Sequence, residues 1–330
     1  MPVKNTKIAW TDHTWSPVRG CKKVSAGCAN CYAERMAMRF SGPGQPYDGL
    51  TWPSGGCRAP GWTGEARFVP EMLDAPLRWK KPSLVFVNSM SDLFHEDITD
   101  EQIAEVFGVM AVAATRFYGP RIKGSLTRDF GPHVFQILTK RADRLRLLNT
   151  ERFRGLVARA AYRHAMDRVD AGWLSQCISG RRESGNHCTL DTMWPLPNVH
   201  LGVSVENQSA ADERIPLLLQ CPAAVRWVSC EPLLGAVDLS AEYLTTKLGA
   251  YPFPSLEREH RTKLINLLDW IVCGGESGPN ARPLHPDWPL SLRDQCKAAG
   301  VPFWFKQMSG TRPGSPGPDD LECCKERPNA

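Results

Sequence analysis

No apolar run in this chain of 330 residues approaches the roughly 20 residues that a membrane helix needs. The N-terminus offers no secretory core either, because Trp10, Asp12 and Trp15 interrupt the stretch where an unbroken apolar segment would have to lie. Charge of one sign is also scarce: 23% of residues are charged and the net charge is a mild +5, while 42% hydrophobic residues exclude disorder of the chain as a whole. These absences point to a cytoplasmic globular protein, long enough for one large α/β domain or two ordinary ones. In a reducing compartment its 12 cysteines are expected to be buried thiols or metal ligands, so their even count is no argument for disulfides.

What the chain does have is a concentrated cysteine loop. Gly20 to Glu34 holds Cys21, Cys28 and Cys31, the last two as a C-x2-C pair whose sulfurs can turn toward one ion or cluster. The loop lacks a fourth thiol. Structural zinc is normally closed by four protein ligands, whereas a cubane iron–sulfur cluster on three cysteines keeps one iron open to another ligand. A zinc-binding, non-catalytic nucleic-acid-binding protein remains the alternative, with Cys57 supplying the fourth thiolate from the Gly-, Pro- and Trp-rich segment Ser41 to Gly64. That segment is expected to be irregular and to cover a site.

Short apolar runs follow at Leu84 to Asn88, Val134 to Thr139, Val199 to Val205, Val225 to Glu231, Trp270 to Gly274 and Pro302 to Lys306. Continuous runs fit strands buried on both faces, and several are separated by helical stretches. Thr99 and Gln102 predict a capping box, and Asp287 is expected to cap a helix that ends at Gly300. With a first strand near Lys7 to Trp10, the pattern predicts an α/β fold: a full or partial (β/α) TIM-like barrel of about six to eight parallel strands in residues 1–310. Peripheral insertions are expected at about 152–197 and 241–268, and a flexible tail at 311–330.

In such a barrel, function gathers at the C-terminal ends of the strands. Nearly every run ends in polar residues: Asn88, Ser89, Ser91 and Asp92; Thr139, Lys140 and Arg141; Ser204, Glu206 and Asn207; Ser229 and Glu231; Glu276 and Ser277; Lys306 and Gln307. Val203 to Glu206 and Val228 to Glu231 echo one another, which places each Ser and Glu on one strand face and leaves Cys230 facing the helices. Lys140, Glu231 and Lys306 are the catalytic candidates, the two lysines suited to contacting a carboxylate or phosphate or to transferring a proton. The glycines before Glu276 could bring backbone close to a ligand. Between Lys140 and Arg182, eleven Lys or Arg stand against Asp143, Glu151, Asp167 and Asp170, a local excess that could meet a phosphate backbone or simply form a solvated helix face.

A cysteine loop after the first strand of a βα barrel, with polar residues at the later strand ends, resembles the radical S-adenosylmethionine superfamily. Whole phrases, among them Ile8 to Asp12, Gly20 to Arg35, Asn88 to Asp97, Leu201 to Asn207, Val228 to Gly235, Gly274 to Pro283 and Val301 to Gln307, look like a phage-encoded radical-SAM-like family related to spore photoproduct lyase. The superfamily's usual spacing is C-x3-C-x2-C; here six residues separate the first two cysteines. The resemblance implies a 4Fe-4S cluster on Cys21, Cys28 and Cys31, whose open iron binds S-adenosyl-L-methionine, with a 5′-deoxyadenosyl radical as the reactive product. It assigns Ser89, Ser91 and Asp92 to the methionine end of the cofactor and Ser204, Glu206 or Asn207 to the region near the ribose, and it counts Tyr32 and Glu276 among the cofactor-binding residues. It further implies an electron donor such as flavodoxin or ferredoxin. A nucleic-acid or nucleoside-type substrate in phage DNA modification, altered by an isomerase or lyase type of reaction, completes the expectation.

Overall fold

The computed structural model of the protein describes residues 6, 8–52, 60–118, 133–165, 194–240, 242–243 and 262–328. Seven strands form one sheet: β1 (His13–Trp15), β2 (Leu84–Val87), β3 (Val134–Thr139), β4 (Val199–Ser204), β5 (Val225–Cys230), β6 (Trp270–Cys273) and β7 (Phe303–Phe305). They lie side by side in chain order, and every neighbouring pair is parallel. The sheet curls into a half-barrel with helices on its convex side, as repeated crossovers of one hand require.

Among the described residues six helices accompany it: α1 (Tyr32–Met38), α2 (Asp100–Tyr118), α3 (Glu151–Ala165), α4 (Gln208–Leu219), α5 (Asp287–Ala299) and α6 (Asp319–Glu322). Thr99 and Gln102 close the expected capping box at the start of α2, each side chain accepting from the other's backbone N–H at 3.2 and 3.0 Å. The crossover from β3 to β4 runs through α3, which packs on α2 through Phe153, Val157 and Ala161. Among the described residues no helix is long and apolar enough to cross a membrane.

Strand alternation divides the apolar residues into two cores. Val85, Val87, Phe135, Ile137, Leu201, Val203, Val228, Cys230, Ile271 and Cys273 join the helices in the large core. The alternate positions Phe86, Trp227, Trp270, Val272 and Trp304 form a separate cluster with Trp10, and this cluster floors the inside of the half-barrel. Trp227 lies 5.4 Å from Trp10 and 5.3 Å from Trp270, centroid to centroid. Gly202 makes room for it, since a Cβ there would stand 2.5 Å from the Trp227 indole.

Several expectations need correcting. The first strand is His13–Trp15, not Lys7 to Trp10, because Trp10 is drawn into the floor and its neighbour Asp12 pairs with the backbone of Leu84 instead. Asp287 is the first residue of α5 and makes no capping bond, although Gly300 ends the helix in the left-handed conformation as foreseen. Residues 311–328, expected as a loose tail, lie along β7: Phe305 N–H donates to Cys324 O, the indole N–H of Trp270 to Glu326 O, and Leu321 is buried. An edge strand leaves backbone groups unpaired, and this segment supplies their partners. Of the two insertions, Glu242–Tyr243 pairs with Thr262–Lys263 as a short ribbon, while 166–193 and 244–261 lie outside the described residues.

Candidate active site

The cysteine loop lies across the C-terminal mouth of the half-barrel and is tied to strand after strand. A ribbon of Val18–Gly20 paired with Ala66–Phe68 carries the chain from β1 into the loop. Near the ends of β2 and β3, Lys22 meets Glu96 at 2.9 Å and its carbonyl accepts from Arg141 at 3.2 Å. Over β4, Gly27 lies against the Glu206 carboxylate, so that a Cβ on Gly27 would be 3.3 Å from Glu206 Cδ, and Ser25 stands close enough to favour its ionised form. Beyond β6, Asn30 donates to Glu276 at 2.9 Å and Ala26 O accepts from Arg282 at 2.9 Å. Tyr32 then reaches back to Ser89 O at 2.6 Å.

Each anchoring carboxylate has its own arginine. Arg214 from α4 holds Glu206 at 2.8 Å with both groups buried, and Arg282 grips Glu276 with its guanidinium and its backbone N–H. Arg141 pairs with buried Asp92 at 3.1 Å. Burial works against ionisation of Glu206, but the Lys140 charge, the Ser25 hydroxyl and Arg214 outweigh it and hold the carboxyl below its usual range. Glu276 is held down in the same way, burial being outweighed by Arg282 and Asn30. Such pairs are stable only because every partner is present.

The three cysteines share this loop and are each partly exposed. Burial, the Asp92 charge and neighbouring Cys31 push the Cys21 thiol up to about 12, and burial likewise raises Cys31, which senses Cys28. Among the described residues no three His, Cys, Asp or Glu side chains converge as ligands of a single metal ion. A cubane cluster that keeps one iron open would draw on three thiolates, the number of cysteines that this loop carries. Cys57, the alternative's fourth thiolate, lies outside the described residues.

The remaining predicted residues separate into spent and unspent groups. Asp92 accepts from Thr139, Arg141, Lys140 N–H and Phe94 N–H, and the Ser91 hydroxyl donates to Val18 O at 2.7 Å. Asn207 caps α4 through the Ala210 N–H at 3.0 Å. These groups, with Glu206 and Glu276, build the mouth. The hydroxyls of Ser204 and Ser229 and the Nζ of Lys140 make no hydrogen bond within the protein among the described residues, and alternation puts all three side chains on the inner face. Glu231 and Lys306 form an ion pair with each other, both half-buried at the rim.

The profile of the family described as "Protein of unknown function (DUF5131)" matches residues 5–119 and 124–317. The chain belongs to that family. No curated protein and no solved structure matches it. The family region takes in the cysteine loop, all seven strands and every carboxylate–arginine pair named above.

Arg214, Arg282 and Asn30 are the site residues that strand-end reasoning passes over. Arg214 lies in the middle of α4 and Arg282 six residues after Glu276, so neither marks a strand end. The one sequence signal for them is the presence of buried glutamates, each of which needs a cation.

Proposed function

We propose that the protein is a radical S-adenosylmethionine enzyme with its cluster on Cys21, Cys28 and Cys31, acting on a nucleobase or nucleoside-type substrate. The observation that carries this reading is three cysteines on one loop, strapped over the mouth of a parallel half-barrel with inward polar groups left unspent beneath it. Bound there, the cluster and S-adenosyl-L-methionine supply reductive cleavage to methionine and a 5′-deoxyadenosyl radical. The chain's own residues orient and shield. The Glu206–Arg214 and Glu276–Arg282 pairs fix the loop from below. Ser204, Ser229 and Lys140 offer hydrogen-bond donors to what enters, and the tryptophan floor excludes water from the closed end. Glu231 and Lys306 are placed at the rim to hold or move a proton on the substrate. A low-potential donor such as flavodoxin or ferredoxin and a cytoplasmic setting belong to the same reading.

Anaerobic reconstitution tests it. A brown protein with about four irons that forms 5′-deoxyadenosine with S-adenosylmethionine and dithionite is expected, and Cys28→Ala should lose both properties. A colourless protein holding one zinc, or product formation undiminished in Cys28→Ala, would sink the proposal and return the zinc-binding alternative.

A further inference from the structure

We infer that a collar of four arginines around the mouth, Arg19, Arg35, Arg39 and Arg67, binds the phosphate backbone of single-stranded DNA and presents a base to the site below. This rests on the reading above for its purpose, but the binding itself is measurable without any cluster.

The collar stands out by what its guanidinium groups touch. Arg19 and Arg67 face each other in register across the ribbon below the cysteine loop, and like charges directly opposite on paired strands repel. Neither meets a carboxylate among the described residues: Arg19 donates to Pro46 O and Arg67 to Asp48 O, each at 3.5 Å, so both reach the same turn. Arg35 donates to the carbonyls of Ser277 and Pro279 at 2.7 and 3.3 Å, and Arg39, one helical turn later, donates to the Met36 sulfur and pairs with no carboxylate among the described residues. The turn that Arg19 and Arg67 reach is tied to the chain just past α1, because the Tyr47 N–H donates to Phe40 O, next to Arg39. Carbonyl oxygens orient a guanidinium without neutralising it, which leaves N–H donors of its planar fork for two oxygens of an anion such as phosphate.

The sequence had pointed elsewhere for phosphate contact, to Lys140 to Arg182. In the described part of that stretch, Arg141, Arg144, Arg152, Arg154 and Arg163 are each paired with a carboxylate. Its charge is largely met by carboxylates, within the fold for Arg141 and at the surface for Arg152 and Arg163. Exposed apolar surface agrees with the collar instead: of Val24, Tyr32, Phe40 and Tyr162, the large hydrophobic residues most open to solvent among those described, Val24 and Tyr32 lie on the cysteine loop and the start of α1, and Phe40 lies two residues past the end of α1. Aromatic faces among arginines suit stacked, unpaired bases, whatever their sequence.

Anisotropy of a fluorescein-labelled single-stranded DNA oligonucleotide, titrated with the full chain at rising NaCl, tests the inference. Wild-type affinity should fall steeply with salt. The double variant Arg19→Gln/Arg67→Gln should bind at least tenfold more weakly at low salt, with the slope of log K against log salt reduced by roughly 0.7 for each arginine removed. Its melting temperature should not drop, since the change relieves a like-charge pair. The control Arg152→Gln/Arg163→Gln on α3 should bind as wild type does. Unchanged binding in the collar variant, loss of binding in the α3 control, or a wild type that ignores DNA yet binds an acidic ferredoxin would each overturn the inference. Normal DNA binding without 5′-deoxyadenosine formation would strike the radical reading alone; the reverse pattern would strike the collar alone.

Discussion

Strands β4 and β5 end in nearly the same residues, Val-Ser-Val-Glu and Val-Ser-Cys-Glu, and alternation turns Ser204, Glu206, Ser229 and Glu231 toward the same cavity, but the two glutamates live differently. Glu206 is 2% exposed, closed from behind by Arg214 and from above by Ser25 and Gly27. Glu231 keeps a fifth of its side chain open at the rim and pairs only with Lys306. One is a strut for the cysteine loop and the other a group available to chemistry. Local sequence made both inward carboxylates; their neighbours in space gave them different work.

The largest way to break that contrast is to remove the cation behind Glu206. Arg214→Ala leaves a buried carboxylate unpaired, which should cost about 3–5 kcal/mol of stability and loosen the cysteine loop. A denaturant midpoint close to wild type would show that Glu206 is no strut. Gly202→Ala tests the wall shared by β4 and β5. Its methyl would meet Trp227 at contact too short for any side chain, so about 1–3 kcal/mol of destabilisation is expected by urea unfolding. A neutral result would mean that the floor yields freely.

On the other side of the contrast, Glu231→Gln should change stability by about 1 kcal/mol or less, since the pair is half-open. Turnover of substrate by the reconstituted enzyme should nevertheless fall, with 5′-deoxyadenosine still formed. Equal losses of stability at Glu231 and Glu206 would erase the distinction. The smallest effect is in pH. The folded Glu206 carboxyl titrates below its unfolded range, so its contribution is fully present above the unfolded value and is lost as pH falls through the folded one. Wild type and Arg214→Ala should therefore converge in stability on acidification, which thermal melts between pH 7 and pH 3 would register.

Much of the half-barrel was legible because buried parallel strands write themselves as continuous apolar runs; six of the seven strands fall within the runs read from sequence. The first did not. His13–Trp15 is three residues long and mixed in polarity, and the apolar Ile8 and Trp10 before it are used by the floor, so its run gave no usable signal. The site divided in the same way. The cysteines and the strand-end polar residues announce themselves by spacing, but which of them are spent depends on partners far away in the chain, such as Asp92 with Arg141 and Asn30 with Glu276, 246 residues apart.

By itself the sequence determined the alternation of strands and helices, the three-thiol loop and the inward-facing Ser and Glu pairs, because each follows from periodicity or spacing within a few residues. Only the tertiary structure decided that the loop lies across the mouth and that Arg214 and Arg282 brace it. It also separated the arginines of the chain into those neutralised within the fold and those left facing outward. The physical reason is that charge and hydrogen-bond capacity are satisfied in space: a guanidinium reads the same in every sequence until a carboxylate stands beside it.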